Sequence, residues 1–148
     1  KSDITKSHCK IDKSCCQTAS EAHQYCYRHQ CFETTRQVAE YLELKEGTYS
    51  TSFQSRLGVD PWLQPYTDQT VARFAKKGIK NMSIVTPAFV SDCLETLEEI
   101  GMEAAEDFEE KGGEELHVIP CINTRPDWIN VMSRWIDQWA KAETATTA

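Results

Sequence analysis

Three short strand-like segments alternate with longer helical patterns along most of this chain. The strand-like segments are residues 48–53, 81–85 and 116–119, and a glycine or proline follows each within a few residues. Parallel strands need a long crossing connection, and helices with short loops supply one. Such crossovers are right-handed in nearly all proteins. The predicted fold class is therefore α/β, with a parallel sheet flanked by helices.

Composition limits the classes of protein to consider. The 148 residues have 40% hydrophobic content, enough for a core, and a formal net charge of −7, which argues against nucleic acid as a partner. No apolar run approaches the roughly 18 residues that a transmembrane helix needs, and no signal peptide is visible. We expect a cytoplasmic protein. The chain starts at Lys1 inside a polar segment, so we expect a fragment.

The longest predicted helix is acidic along one side. Pro87 opens it, and Glu95, Glu99 and Glu103 recur at four-residue intervals, so three carboxylates stack over two turns. One interpretation is a solvated acidic surface. The other is a row of carboxylates that binds metal ions or accepts protons, and crowding should then raise the pKa of at least one of them. Apolar positions elsewhere on the helix can be buried: Leu94, Leu97 and Ile100.

A second group of polar and aromatic residues follows the first predicted strand. Gln54, Ser55 and Arg56 leave that strand, and Trp62 lies in a loop with two prolines. Loops at the carboxyl ends of parallel strands form ligand crevices, so we expect this loop and the acidic helix to share one crevice. A tryptophan is equally often core, and Arg56 is equally consistent with a surface ion pair.

Five of the seven cysteines fall within 23 residues, in the pattern C-x5-C-C-x9-C-x4-C. They are Cys9, Cys15, Cys16, Cys26 and Cys31. Thiolates bind zinc and iron–sulfur clusters, but this spacing matches neither a zinc ribbon nor the common ferredoxin patterns. Free or disulfide-forming thiols are a further alternative. We predict a cysteine-rich segment at residues 1–31, an α/β domain at 21–142 and a disordered tail at 143–148.

Two long motifs are distinctive: residues 89–99, FVSDCLETLEE, and residues 52–68, SFQSRLGVDPWLQPYTD. The first resembles the segment F-x-[SA]-D-[HC]-[LI]-E-T-L-x-E of the ferrochelatase family. The second resembles the block [FW]-Q-S-[RK]-x-G-x-x-P-W-L-x-P-x-[TV]-D of the same family. Asn123 matches a third, weaker block. The resemblance covers about residues 25–140 and corresponds to the C-terminal part of a ferrochelatase.

The resemblance implies a chelatase-like, Rossmann-like domain that helps insert Fe2+ into protoporphyrin or coproporphyrin in haem biosynthesis. It implies a catalytic role for Glu95 and a metal or proton path along Glu99 and Glu103. The porphyrin-binding residues it implies are Gln54, Ser55, Arg56 and Trp62, with Arg56 placed to pair with a propionate. Cys93 stands where many relatives have histidine.

The resemblance also implies a partner and a cofactor. Ferrochelatases carry an essential histidine in an upstream Ser-x-His segment that none of this chain's histidines matches, so the N-terminal half of the enzyme is expected as a partner and the chain alone should be inactive. Certain bacterial ferrochelatases hold a [2Fe-2S] cluster on internal cysteines, which implies that four of the five clustered cysteines bind one. A chelatase for another metal, a non-catalytic thiol-rich metal or redox module, and peripheral membrane contact through the last helix stay open.

Overall fold

The computed structural model describes residues 8–10, 14–16, 18–54, 58 and 62–146. The chain divides between Arg73 and Phe74 into two compact units. The first unit carries the cysteine-rich segment and the Trp62 loop, and the second carries the acidic helix. Mixed α/β structure is confirmed, although the sheet is smaller than the sequence predicts.

Helix α1, Tyr27–Tyr41, is the main element of the first unit. Two short 3-10 helices precede it, Ser14–Cys16 and Glu21–Tyr25. The sequence predicts one helix over about residues 21–44, but the backbone is extended at Cys26 (φ −95°, ψ 104°), which ends the second 3-10 helix and begins α1. The predicted helix is therefore broken near its start.

The strand predicted at residues 48–53 does not form. The N–H of Thr48 donates to the carbonyl of Lys45 in a turn, and Phe53 makes an isolated parallel bridge with Tyr66. A strand needs a neighbour to pair its N–H and C=O groups, and among the described residues no strand pairs with this segment. The prediction that the Trp62 loop and the acidic helix follow strands of one sheet is therefore wrong as stated.

Helix α2, Thr67–Lys76, begins directly after this bridge. Thr67 is buried; its N–H donates to the carbonyl of Phe53 at 3.2 Å, and its hydroxyl lies 3.1 Å from that of Ser52. The ring of Phe53 meets Phe32 of α1 edge-on, with 6.0 Å between the ring centroids. These contacts tie the start of α2 to the segment that precedes the Trp62 loop.

A two-stranded parallel sheet organises the part of the second unit that the structure describes. Strand β1, Asn81–Ile84, pairs with β2, Glu115–Val118, with Asn81 opposite Glu115 and Ile84 opposite Val118. The predicted parallel pairing of these two segments is confirmed. The crossover contains a π-helix, Glu95–Glu103, and helix α3, Ala104–Glu110.

The crossover helix begins later than predicted. The sequence places its start at Pro87, whereas helical structure starts at Leu94. Residues 87–93 instead form a connection in which the N–H of Phe89 donates to the carbonyl of Thr86. A proline can open a helix, but it equally suits the turn observed here.

The core of the second unit lies under the crossover. Thr96, Ile100 and Phe108 are buried, with exposed fractions of 2%, 1% and 0%. Gly113 packs so closely on Phe108 that a Cβ at that position would lie 2.3 Å from its ring carbons. Glycine is therefore required there by close approach.

Helix α4, Pro126–Thr146, has proline at its first position, where the missing N–H has no cost. Residues 143–146 are helical in place of the predicted disordered tail, and residues 147 and 148 lie outside the described residues. Alanine, lysine and glutamate continue the helix because no glycine or proline stops it. Among the described residues, no helix is both long and apolar enough to cross a membrane.

Candidate active site

All three stacked glutamates lie on the π-helix, Glu95–Glu103. Its hydrogen bonds span five residues; at its end the N–H of Ala104 donates to the carbonyl of Glu99. Most π-helical segments are single turns, and they occur frequently at functional sites. Positions four residues apart stay on one side of such a helix, because four residues fall only slightly short of its wider turn.

The glutamates border the packed side of the helix. Glu95 and Glu99 are half-buried and Glu103 is exposed. Two of them immediately precede buried positions, since Thr96 and Ile100 are in the core. The row therefore runs from partly buried surroundings towards solvent.

Two leucines of this helix are exposed, although the sequence predicts that they are buried. Leu94 and Leu97 are exposed, at 65% and 61%, whereas Ile100 is buried as expected. The prediction assumed α-helical spacing from Pro87, and the later start and wider turn place these two side chains outside the core. Exposed apolar surface thus lies next to a half-buried carboxylate.

The pKa of Glu95 lies below its ordinary value. The cause is hydrogen bonding, first from the side chain of Cys93 and then from the backbone N–H of Glu95 itself, against a smaller opposing effect of burial. The pKa of Glu95 is thus lowered, whereas crowding of the three glutamates predicts a raised pKa for at least one of them. An ionised carboxylate at this position can accept a proton or bind a metal ion.

Asp92 occupies a network for which the sequence indicated no role. Its Oδ2 accepts from Nδ2 of Asn123 at 2.6 Å, and its N–H donates to Oδ1 of Asn123 at 2.9 Å. Its Oδ1 accepts from the N–H of Cys121 at 3.3 Å and the hydroxyl of Thr96 at 3.1 Å. Thr96 in turn accepts the N–H of Cys93 at 2.9 Å. The connection after β2 is thereby joined to the entrance of the π-helix.

We expect this network to make the free energy of unfolding fall in acid. Hydrogen bonds, above all from Asn123, hold the pKa of Asp92 below its ordinary value. A carboxyl with a depressed pKa stabilises the fold above the unfolded value of about 3.9, and that contribution is lost as the pH falls through the folded value. Urea unfolding between about pH 5 and pH 2 measures the slope. An Asp92→Asn variant with the same slope as the wild type would contradict this assignment.

The Trp62 loop is partly defined. Trp62 is 39% exposed, and its Nε1–H donates to the carbonyl of Gln54 at 2.9 Å. The structure thus brings together two of the four residues predicted to bind porphyrin. Ser55 and Arg56 lie outside the described residues.

The clustered cysteines are only partly brought together. The side chain of Cys15 interacts with those of Cys9 and Cys16, and hydrogen bonding with the backbone of Lys10 is the main cause that lowers the pKa of the Cys15 thiol. Cys31 instead contacts Tyr27, whose pKa is raised first by burial and then by that contact. Within the described ranges, no three histidine, cysteine or acidic side chains are arranged to hold a metal ion. This arrangement does not fit the four-thiolate site that a [2Fe-2S] cluster needs.

Other polar groups of the segment contact the same cysteines. The Nη1 of Arg28 donates to Sγ of Cys16 at 2.7 Å, and burial nevertheless raises the pKa of that thiol. The ring nitrogens of His8 and His23 lie 2.9 Å and 3.1 Å from the carbonyl oxygen of Cys15. These histidines therefore support the backbone of the segment.

Comparison with known proteins identifies the family. The ferrochelatase family model matches residues 12–140. The chain is 46% identical over 142 residues to a ferrochelatase of Opitutus terrae, covering 96% of the chain and 41% of that protein. It is 47% identical over 134 residues to one of Pseudomonas fluorescens, covering 90% and 39%, and 46% identical over 138 residues to one of Legionella pneumophila, covering 91% and 41%. The chain thus spans about two fifths of the length of these relatives. Because the family match extends over most of its residues, the chain belongs to the ferrochelatase family.

Proposed function

We propose that this chain is the C-terminal part of a ferrochelatase and that Glu95 acts in the insertion of Fe2+ into a porphyrin. The observation that carries this proposal is the π-helix, which holds ionised, half-buried Glu95 beside exposed apolar side chains in a chain of this family. A porphyrin needs both an apolar surface and a nearby base. The acidic helix combines the two.

Metal insertion sets two tasks for the carboxylates. Two pyrrole N–H protons must leave the macrocycle, and Fe2+ must exchange its water for ring nitrogens. Glu95 accepts a proton or holds the entering ion. Glu99 and Glu103 continue from it at four-residue intervals, from half-buried to exposed surroundings. This gradient supports a path between the ring and solvent.

The Trp62 loop is proposed to bind the porphyrin. The hydrogen bond to the Gln54 carbonyl fixes the indole, which leaves part of an aromatic surface available to a flat ligand. Ser55 and Arg56 join this proposal from the sequence alone, with the guanidinium of Arg56 proposed to pair with a propionate.

The [2Fe-2S] cluster stays a prediction of the resemblance, and no step of metal insertion is assigned to it. If four of the five clustered cysteines bind a cluster, protein purified without oxygen contains iron and acid-labile sulfide in about equal amounts. Substituting Cys121, outside the cysteine-rich segment, serves as the control and should leave both contents unchanged. Protein that lacks both iron and sulfide would exclude the cluster.

An insertion assay tests the proposed function. We expect the enzyme that contains this chain and the remainder of a ferrochelatase to convert porphyrin and Fe2+ to haem, measured by loss of porphyrin fluorescence. Preference for Co2+ in a metal competition would favour the alternative chelatase. No insertion, together with no quenching of tryptophan fluorescence by porphyrin, would favour the non-catalytic thiol-rich module.

A further inference from the structure

We propose that Asp92 and Asn123 form a positioning clamp, which holds the entrance of the π-helix by hydrogen bonds and thereby orients Glu95. The proposal deepens the function proposed above, because the role of Glu95 rests on it. The clamp itself is defined by side chains that the proposed porphyrin chemistry does not use.

The two residues are paired reciprocally. The carboxylate of Asp92 only accepts hydrogen bonds and its backbone N–H only donates them, so the amide of Asn123 has a single orientation that satisfies both. Asn123 has φ 51°, in the left-handed region that asparagine tolerates, and its own N–H donates to the carbonyl of Val90 at 2.9 Å. Asn123 is thus hydrogen-bonded to the backbone of Val90 as well as to Asp92.

The clamp reaches Glu95 through a short chain of contacts. Asp92 accepts from the hydroxyl of Thr96, which is 2% exposed and accepts the N–H of Cys93. The side chain of Cys93 in turn interacts with the carboxylate of Glu95. Glu95 therefore lies between two residues, Cys93 and Thr96, whose positions depend on Asp92.

Asp92 is poorly suited to handle protons or metal itself. Both carboxylate oxygens already accept protein hydrogen bonds, Oδ2 from Asn123 and Oδ1 from Cys121 and Thr96. These three bonds occupy most of the roughly four acceptor sites of a carboxylate, so little capacity is left for a proton or a metal ion unless a bond is lost. The geometry therefore favours positioning over a direct role.

A residue swap tests the clamp. The hydrogen bond from Asn123 to Asp92 is 2.6 Å long. In Asp92→Asn alone, two amide donors face each other at this contact. In Asn123→Asp alone, two carboxylates face each other there. The double variant reverses the side-chain bond between the two residues, because an asparagine at 92 can donate to an aspartate at 123. The remaining oxygen of each side chain still accepts the same hydrogen bonds as in the wild type, so all bonds of the clamp are restored. Asp107→Asn on α3, which removes the ion pair of Asp107 with Lys111, is the matched control.

In the enzyme containing this chain, each single variant should lower kcat about 10- to 100-fold while changing the porphyrin KM less than about twofold, because the reacting group is misplaced. The swap should recover kcat to within about threefold, and the control should match the wild type. A swap as inactive as the single variants would show that charge at residue 92 is needed and would overturn the clamp. Single variants with wild-type kcat would overturn it equally.

Amide hydrogen exchange separates this inference from the proposed function. The single variants should accelerate exchange at residues 93–97 about tenfold or more, and the swap should reverse this. If the wild type inserts no metal, the proposed function fails, while faster exchange that the swap reverses still supports the clamp. Unchanged exchange in the single variants would overturn the clamp whatever the activity.

Discussion

Replacing Glu95 with glutamine should abolish metal insertion and leave porphyrin binding nearly unchanged. Glutamine keeps the size of the side chain, but it cannot accept a pyrrole proton or carry the negative charge that attracts Fe2+. A positioned base contributes about 10²- to 10⁴-fold to a rate, so kcat should fall by that order. Steady-state insertion measures kcat, and quenching of tryptophan fluorescence measures porphyrin binding.

Glu98→Gln provides the matched control for this substitution. Glu98 is on the same π-helix and is exposed, and it lies outside the row of Glu95, Glu99 and Glu103. The control removes one carboxylate from the same helix, so the general electrostatic change is similar. Near-wild-type turnover of Glu95→Gln would remove Glu95 from the mechanism, and equal losses in both variants would indicate a general charge effect.

Phe108→Ala should cost the second unit about 3–5 kcal/mol of unfolding free energy. Phe108 is fully buried and packs against Gly113, so its removal leaves a cavity under the crossover. Domains are stable by only about 5–15 kcal/mol, so this loss should move the urea midpoint strongly. Phe108→Leu, which refills part of the space, keeps the measurement possible if the alanine variant does not fold.

Met102→Ala is the control for the cavity. Met102 lies on the same crossover with 59% of its surface exposed, so its truncation should change the unfolding free energy by about 0.5 kcal/mol or less. Equal midpoints for Phe108→Ala and Met102→Ala would mean that Phe108 is not a core residue in solution.

Local patterns were sufficient for several elements. Strands β1 and β2 lie within one residue of their predicted bounds because short apolar runs with β-branched residues favour strands wherever they pair. The start of α4 at Pro126 and the turns at Gly78 and Gly112 follow from backbone preferences of single residues. The family motifs likewise depend only on residue order, and the family match agrees with them.

Some predictions failed because they needed partners distant in sequence. Residues 48–53 have strand composition but pair with no strand among the described residues, and Phe53 forms a single bridge. The clustered cysteines are close in sequence, yet Cys31 contacts Tyr27 while Cys15 interacts with Cys9 and Cys16. The spacing of cysteines along the sequence does not determine which residues their side chains contact in the folded chain.

By itself, the sequence determined the family, the parallel pairing of β1 with β2 and the four-residue spacing of the glutamates. Tertiary structure alone decided that their helix is a π-helix, Glu95–Glu103, with its entrance joined to Asn123. The physical reason is that Asp92 and Asn123 are 31 residues apart. Hydrogen bonds across that separation leave no periodic trace in the sequence, and they exist only once β2 has paired with β1 and brought the following connection to the start of the helix.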